Sequence, residues 1–97
     1  MSVEAFTRVW EHSRARGSRL VLLLALADQE GADGVAVINT PLLAEKCRKS
    51  EQWVKRTIRI LEREEELIRR GNAVVILAGT NREDAERILQ SRGVKYG

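Results

Sequence analysis

The chain predicts an α+β fold, mostly α. Three observations carry this. Apolar residues recur at helical spacing in five separate stretches, two of these stretches abut through a tight turn, and two β-prone runs follow them across a Gly-Asn pair. With 97 residues, 43% apolar and 32% charged, the composition is that of one ordinary globular domain.

Val3, Phe6, Val9 and Trp10 follow i, i+3 and i+4 spacing and predict an amphipathic helix over about 3–15, ended by Arg16-Gly17. Ser18 is placed to cap a second helix. Its Leu20 to Ala27 segment is apolar nearly all round, which predicts a central position in a small domain. Gly31 and Asp33-Gly34 mark a loop, and Val35 to Ile38 reads as a short strand.

Thr40-Pro41 opens a third helix, with Thr as cap and Pro at the first helical position. Leu42, Leu43, Ala44 and Cys47 form its apolar side. Lys49-Ser50 makes the break, with Ser50 as the next N-cap. Val54, Ile58 and Leu61 then recur at i, i+4 and i+7, so the fourth helix buries one face. At roughly 100° per residue, Gln52, Lys55, Arg56, Arg59 and Arg63 gather on the opposite face. Trp53 falls on the flank near Ile60 and is expected to pack against the core.

Leu67 to Arg70 and Ala73 to Leu77, separated by Gly71-Asn72, read as a hairpin with a primed turn. With the Val35 to Ile38 run this makes a small three-stranded sheet. Thr80 and Glu83 have the spacing of a capping box that starts a last helix, with Ala85, Ile88 and Leu89 on one side. Gly93 is its expected stop, and Val94 is expected to fold back on the last turn. The expected organisation is a single domain: an N-terminal helix over 1–16, a core over 18–79 and a C-terminal helix over 80–97.

A helix apolar underneath and basic on top, after a short bracing helix and before a hairpin, is the layout of a winged helix-turn-helix. In that layout the front of the basic helix enters the major groove of double-stranded DNA. Gln52 and Lys55 or Arg56 would approach base edges, since Arg pairs best with guanine and Gln with adenine. Arg59 and Arg63 would meet phosphates. So would Lys49, Ser50 and the wing residues Arg69 and Arg70, which position the protein without reading sequence. The competing reading of the stripe is a solvated face laced with Glu–Arg pairs. A net charge of +3 permits binding to nucleic acid without establishing it.

The segment from Leu20 onward also resembles a family of winged helix-turn-helix domains of bacterial, phage and plasmid replication initiators and small transcriptional regulators. The residues that carry the resemblance are Leu22 to Asp28, Thr40 to Ala44, Cys47 to Glu51, then Val54, Arg56, Ile58, Leu61-Glu62 and Leu67-Ile68. Together they span about half of the chain. The resemblance implies a DNA-binding regulator or replication-initiation factor, not an enzyme, that pairs through terminal helices to read two half-sites. Phe6 and Trp10 on the first helix, or the narrow apolar side of the last helix, would make the homodimer contact. A monomer on tandem repeats is the competitor. Two departures stand out. Trp53 occupies a position where the family usually has a small residue, often Thr. No Gly lies between Gly34 and Gly71, where the family usually has one between the basic helix and the wing.

Other chemistries lack their signatures. Cys47 is the single cysteine, so no intrachain disulfide forms, which fits a reducing cytoplasm. It reads as a small buried filler. His12, the sole histidine, has no companion ligands and reads as a surface residue. No nucleophile motif, P-loop or dinucleotide glycine pattern occurs, so no catalytic residue, metal, cofactor or small-molecule ligand is expected. The Leu20 to Ala27 run is too short for a membrane span and has no leader-type cleavage site after it. The rival from another class is a protein-interaction module that uses the same surface, with Glu51 mildly repelled by phosphate. RNA binding is weaker still, since few aromatics are free to stack bases.

Overall fold

A computed structural model of the chain describes residues 3–96, with side chains described through Ser91. These residues form five helices and three strands: α1 (Val3–His12), α2 (Ser18–Asp28), β1 (Ala36–Val37), α3 (Thr40–Cys47), α4 (Glu51–Arg63), β2 (Leu67–Arg70), β3 (Ala73–Ile76) and α5 (Arg82–Tyr96). The sheet is antiparallel in the order β1-β3-β2. Fold class and element order follow the sequence pattern, and no helix among the described residues is long and apolar enough to cross a membrane.

Helix α2 occupies the centre because it has almost no polar side. Leu22, Leu23, Leu26 and Ala27 are fully buried, and α1, α3, α4 and β1 all pack on it. Leu43 of α3 and Val54, Ile58 and Leu61 of α4 complete the main core with Leu67, Val74 and Ile76 of the sheet. Alternate strand residues face the other way. Ile68 and Val75 meet Val35, Ala85 and Leu89 in a second, smaller cluster. The sheet therefore lies between the helical layer and α5, and the apolar side of α5 packs on its own domain.

Helix α1 turns differently from the expected stripe. Its inward residues are Ala5 and Val9, while Val3 is 75% and Trp10 72% exposed. Trp10 is thus not a core residue. The small Ala5 side chain, fully buried, allows a close approach of α1 to its neighbour. Arg8, on the inner flank, donates to both carboxylate oxygens of Glu30, at 3.1 and 3.3 Å, and so joins α1 to the end of α2.

Four helix ends differ from the expected caps. Gly17, not Ser18, precedes α2; it takes φ 59°, and no side chain caps the helix. Asn39, not Thr40, caps α3: its side chain accepts from the Leu42 amide at 3.2 Å, and Pro41 falls at the second position. Asn81, not Thr80, caps α5. Its carbonyl oxygen accepts from the Asp84 amide at 2.8 Å and its amide donates to the Asp84 carboxylate at 3.0 Å. In both cases the Asn side-chain oxygen, one bond farther from the backbone than a Thr hydroxyl, accepts the amide three residues on. Helix α5 runs through Gly93 to Tyr96, since glycine weakens a helix by about 1 kcal/mol without ending it. The expected fold-back of Val94 lies outside the described side chains.

The hairpin matches its sequence signal. Leu67 pairs with Ile76 and Arg70 with Ala73, so Gly71 and Asn72 form a two-residue turn with Gly71 at φ 61°. The turn before it, which lacks glycine, is closed by Glu65 at φ 61°. The Glu65 amide donates to the Glu62 carbonyl and the Glu66 amide to that of Leu61, the paired bonds of a Schellman end. Glu66, only 7% exposed, then accepts from the Ser13 hydroxyl at 2.6 Å and the Arg14 amide at 3.2 Å. This carboxylate fastens the α1–α2 loop to the start of the hairpin. Glu66→Ala removes both acceptors and strands the Arg14 amide, so it is expected to lower stability by about 2–3 kcal/mol in denaturant unfolding. Glu66→Gln, which keeps an acceptor oxygen, is expected to cost less.

Candidate nucleic-acid interface

The geometry of the basic stripe starts at the turn before it. Helix α3 ends at Cys47, Arg48 takes the left-handed conformation (φ 56°, ψ 45°), and Ser50 caps α4. The Ser50 hydroxyl oxygen accepts from the Trp53 amide at 3.0 Å and keeps its own proton free to donate. Val54, Thr57, Ile58 and Leu61 are buried. That one-sided burial turns Gln52, Lys55, Arg56, Arg59 and Arg63 outward together, all exposed. The five residues read from the pattern therefore share one surface.

Their electrostatics bear on the self-paired reading of the stripe. A solvated, self-paired face needs carboxylates near the cations. The acidic residues at the end of α4 are directed elsewhere: Glu62 lies 3.8 Å from Arg69, Glu64 3.2 Å from Arg19, and Glu65 3.7 Å from Arg82. Among the described residues no carboxylate pairs with Lys55, Arg56, Arg59 or Arg63. The spacing also sets like charges one turn apart. Lys55 and Arg59, then Arg59 and Arg63, are like charges at i, i+4, each pair costing a few tenths of a kcal/mol.

The flanks hold the other expected contacts. Lys49 is exposed, with its ammonium 5.5 Å from the centroid of the Trp53 ring. Trp53 is half-buried against the main core, as its position beside Ile60 implies. Arg69 and Arg70 stand exposed at the end of β2, but strand alternation points them to opposite faces of the hairpin. Arg69 leans toward α4 through Glu62, and Arg70 lies on the α5 side. Arg48, exposed and basic, belongs to the same surface and was not among the residues singled out from the sequence. The Arg48-Lys49 doublet directly before a cap residue was the available signal.

Cys47 and His12 take no part. Cys47 is half-buried against the core, and burial pushes its thiol above the ordinary value, so it is not an activated thiolate. His12 is exposed, 3.9 Å from the Glu11 carboxylate. No group of three or more His, Cys, Asp or Glu placed to hold a metal occurs among the described residues. No protein-family model matches the chain, and no curated protein or solved structure matches it.

One ion pair holds the basic helix's support in place. Lys46 of α3 donates to Asp28 at the end of α2 at 2.6 Å, and this bond holds the Asp28 carboxyl below the usual carboxylate value. A carboxyl lowered on folding stabilises the fold above its unfolded pKa, and that contribution is lost as pH falls through the folded value. The contribution of Asp28 is therefore full above about pH 5 and declines below about pH 4. Lys46→Ala is expected to return the Asp28 titration toward the ordinary value, followed by NMR, and to flatten this part of the acid limb of stability.

Proposed function

We propose that this chain binds double-stranded DNA as a winged helix-turn-helix protein. Helix α4 lies in the major groove and the β2–β3 hairpin acts as the wing on the flanking backbone. The observation that carries this reading is the row of outward cations on α4 without carboxylate partners among the described residues, on a helix whose other side is locked into the core. Mutual repulsion along that row is relieved by a polyanion. A 13-residue helix is about 20 Å long, enough to follow the groove across several base pairs.

Gln52 and Lys55 or Arg56, in the first two turns, meet base edges. Arg59 and Arg63 meet phosphates, with Lys49 and Ser50 at the front and Arg69 and Arg70 on the wing. The Arg69–Glu62 pair is exposed and long, and such pairs contribute at most about 1 kcal/mol, so a phosphate can displace it. The biological role in this reading is that of a transcriptional regulator or a replication-initiation factor. A homodimer belongs to the same reading. Since α5 uses its apolar side internally, the contact falls on α1, where Phe6, Trp10 and Leu24 of α2 line an apolar groove.

Fluorescence anisotropy on a random duplex pool tests the DNA reading. Affinity should fall on the order of 10³-fold between 50 and 200 mM salt. Arg56→Ala should lose about tenfold or more and relax base preference, while Arg59→Ala should weaken all sequences alike. A wild type that binds no duplex at low salt sinks the reading and directs the search to protein partners of this face. Sedimentation reads the dimer: Trp10→Ala should shift the chain to monomer, and half-site spacing in selected duplexes should disappear with it.

A further inference from the structure

Arg48 sits where an arginine is a poor choice for the backbone. At φ 56° and ψ 45° its Cβ crowds the adjoining carbonyl, a strain that glycine does not suffer. The conformation is needed. It lets the Lys49 amide close on the Ala44 carbonyl at 3.0 Å and turns the chain from α3 into α4 within three residues. Its side chain is exposed, and among the described residues no carboxylate pairs with it. It adjoins Lys49, which is propped over Trp53, and precedes the Ser50 cap. A cation held in an unfavourable backbone state at the edge of a cationic surface points from strain to function.

We propose that Arg48 is an additional phosphate-contacting residue, kept at the turn at the expense of fold stability; this rests on the DNA reading above. Arg48 and Lys49 then form a two-cation clamp on the backbone at the front of α4, and Trp53 positions the Lys49 arm of it. The bland competitor is that Arg48 merely favours the negative end of the α3 dipole. The molecule contains its own control. Glu65 closes the far end of α4 at φ 61° with the same pair of bonds, but carries negative charge.

The experiment compares Arg48→Gly, Arg48→Lys and Glu65→Gly by thermal melting and by duplex affinity across a salt series. Both glycine variants should melt higher, by about 5 °C. Arg48→Gly should nonetheless bind duplex about five- to tenfold more weakly, with the slope of log affinity against log salt reduced by about 0.9. Arg48→Lys should keep slope and affinity within about twofold, and Glu65→Gly should bind no more weakly than wild type. An Arg48→Gly variant with wild-type affinity and slope overturns the proposal and leaves the DNA reading intact. A lower melting temperature with an unchanged slope assigns Arg48 to the end of α3 and overturns it too. A wild-type chain without duplex binding overturns both.

Discussion

The burial of one side of α4 in the main core, against α3, β2 and α2, governs most of what this molecule presents to its surroundings. Val54, Ile58 and Leu61 are each excluded from water. Side chains of this size contribute roughly 1.5–3 kcal/mol apiece on burial. Repulsion among the outward cations costs only a few tenths per pair. The apolar term wins by an order of magnitude, so the helix is held with its charges outward whatever they meet. The turn before it and the hairpin after it are then fixed in place by chain connectivity, since only three residues intervene at either end.

Around this apolar contact the polar groups act as fasteners between segments that would otherwise meet only through loops. Glu66 joins the α1–α2 loop to the hairpin, Arg8–Glu30 joins α1 to the α2 end, and Lys46–Asp28 joins α2 to α3. The first two use carboxylates withdrawn from water. Such carboxylates are tolerated because each accepts two hydrogen bonds. Their geometry is specific in a way that leucine packing is not, and all three lie on the support of α4, away from its outward face.

The parts of the fold visible in the sequence are those decided by local physics. Val54, Ile58 and Leu61 declare the inner side of α4 by spacing alone, Ser50 declares its start, and Gly71-Asn72 declares the hairpin. The outward residues of the candidate site follow from the same period. What was not visible depends on the neighbour. Whether Ala5 and Val9 or Val3 and Trp10 face α2 is set by the surface α2 offers. The caps shift by one residue to Asn39 and Asn81 because reach to the free amides decides between adjacent polar side chains. Glu66 stands among three consecutive glutamates that look alike in one dimension, and only the approach of Ser13 and Arg14 distinguishes it. The two left-handed positions, Arg48 and Glu65, carry no glycine to announce them.

The order of the sheet has a consequence for how the molecule behaves in a crowd. β3 is flanked on both sides, but β1 and β2 are open edges, and an open edge invites a strand from another chain. β1 offers only two residues for such a graft. β2 is longer and begins with Leu67 and Ile68, yet it closes on Arg69 and Arg70, which project to opposite faces. A second strand laid alongside β2 would have to accommodate an exposed guanidinium group on each face of the sheet. The arginines of the hairpin thereby act as gatekeepers against edge-to-edge aggregation, a duty independent of any ligand they meet.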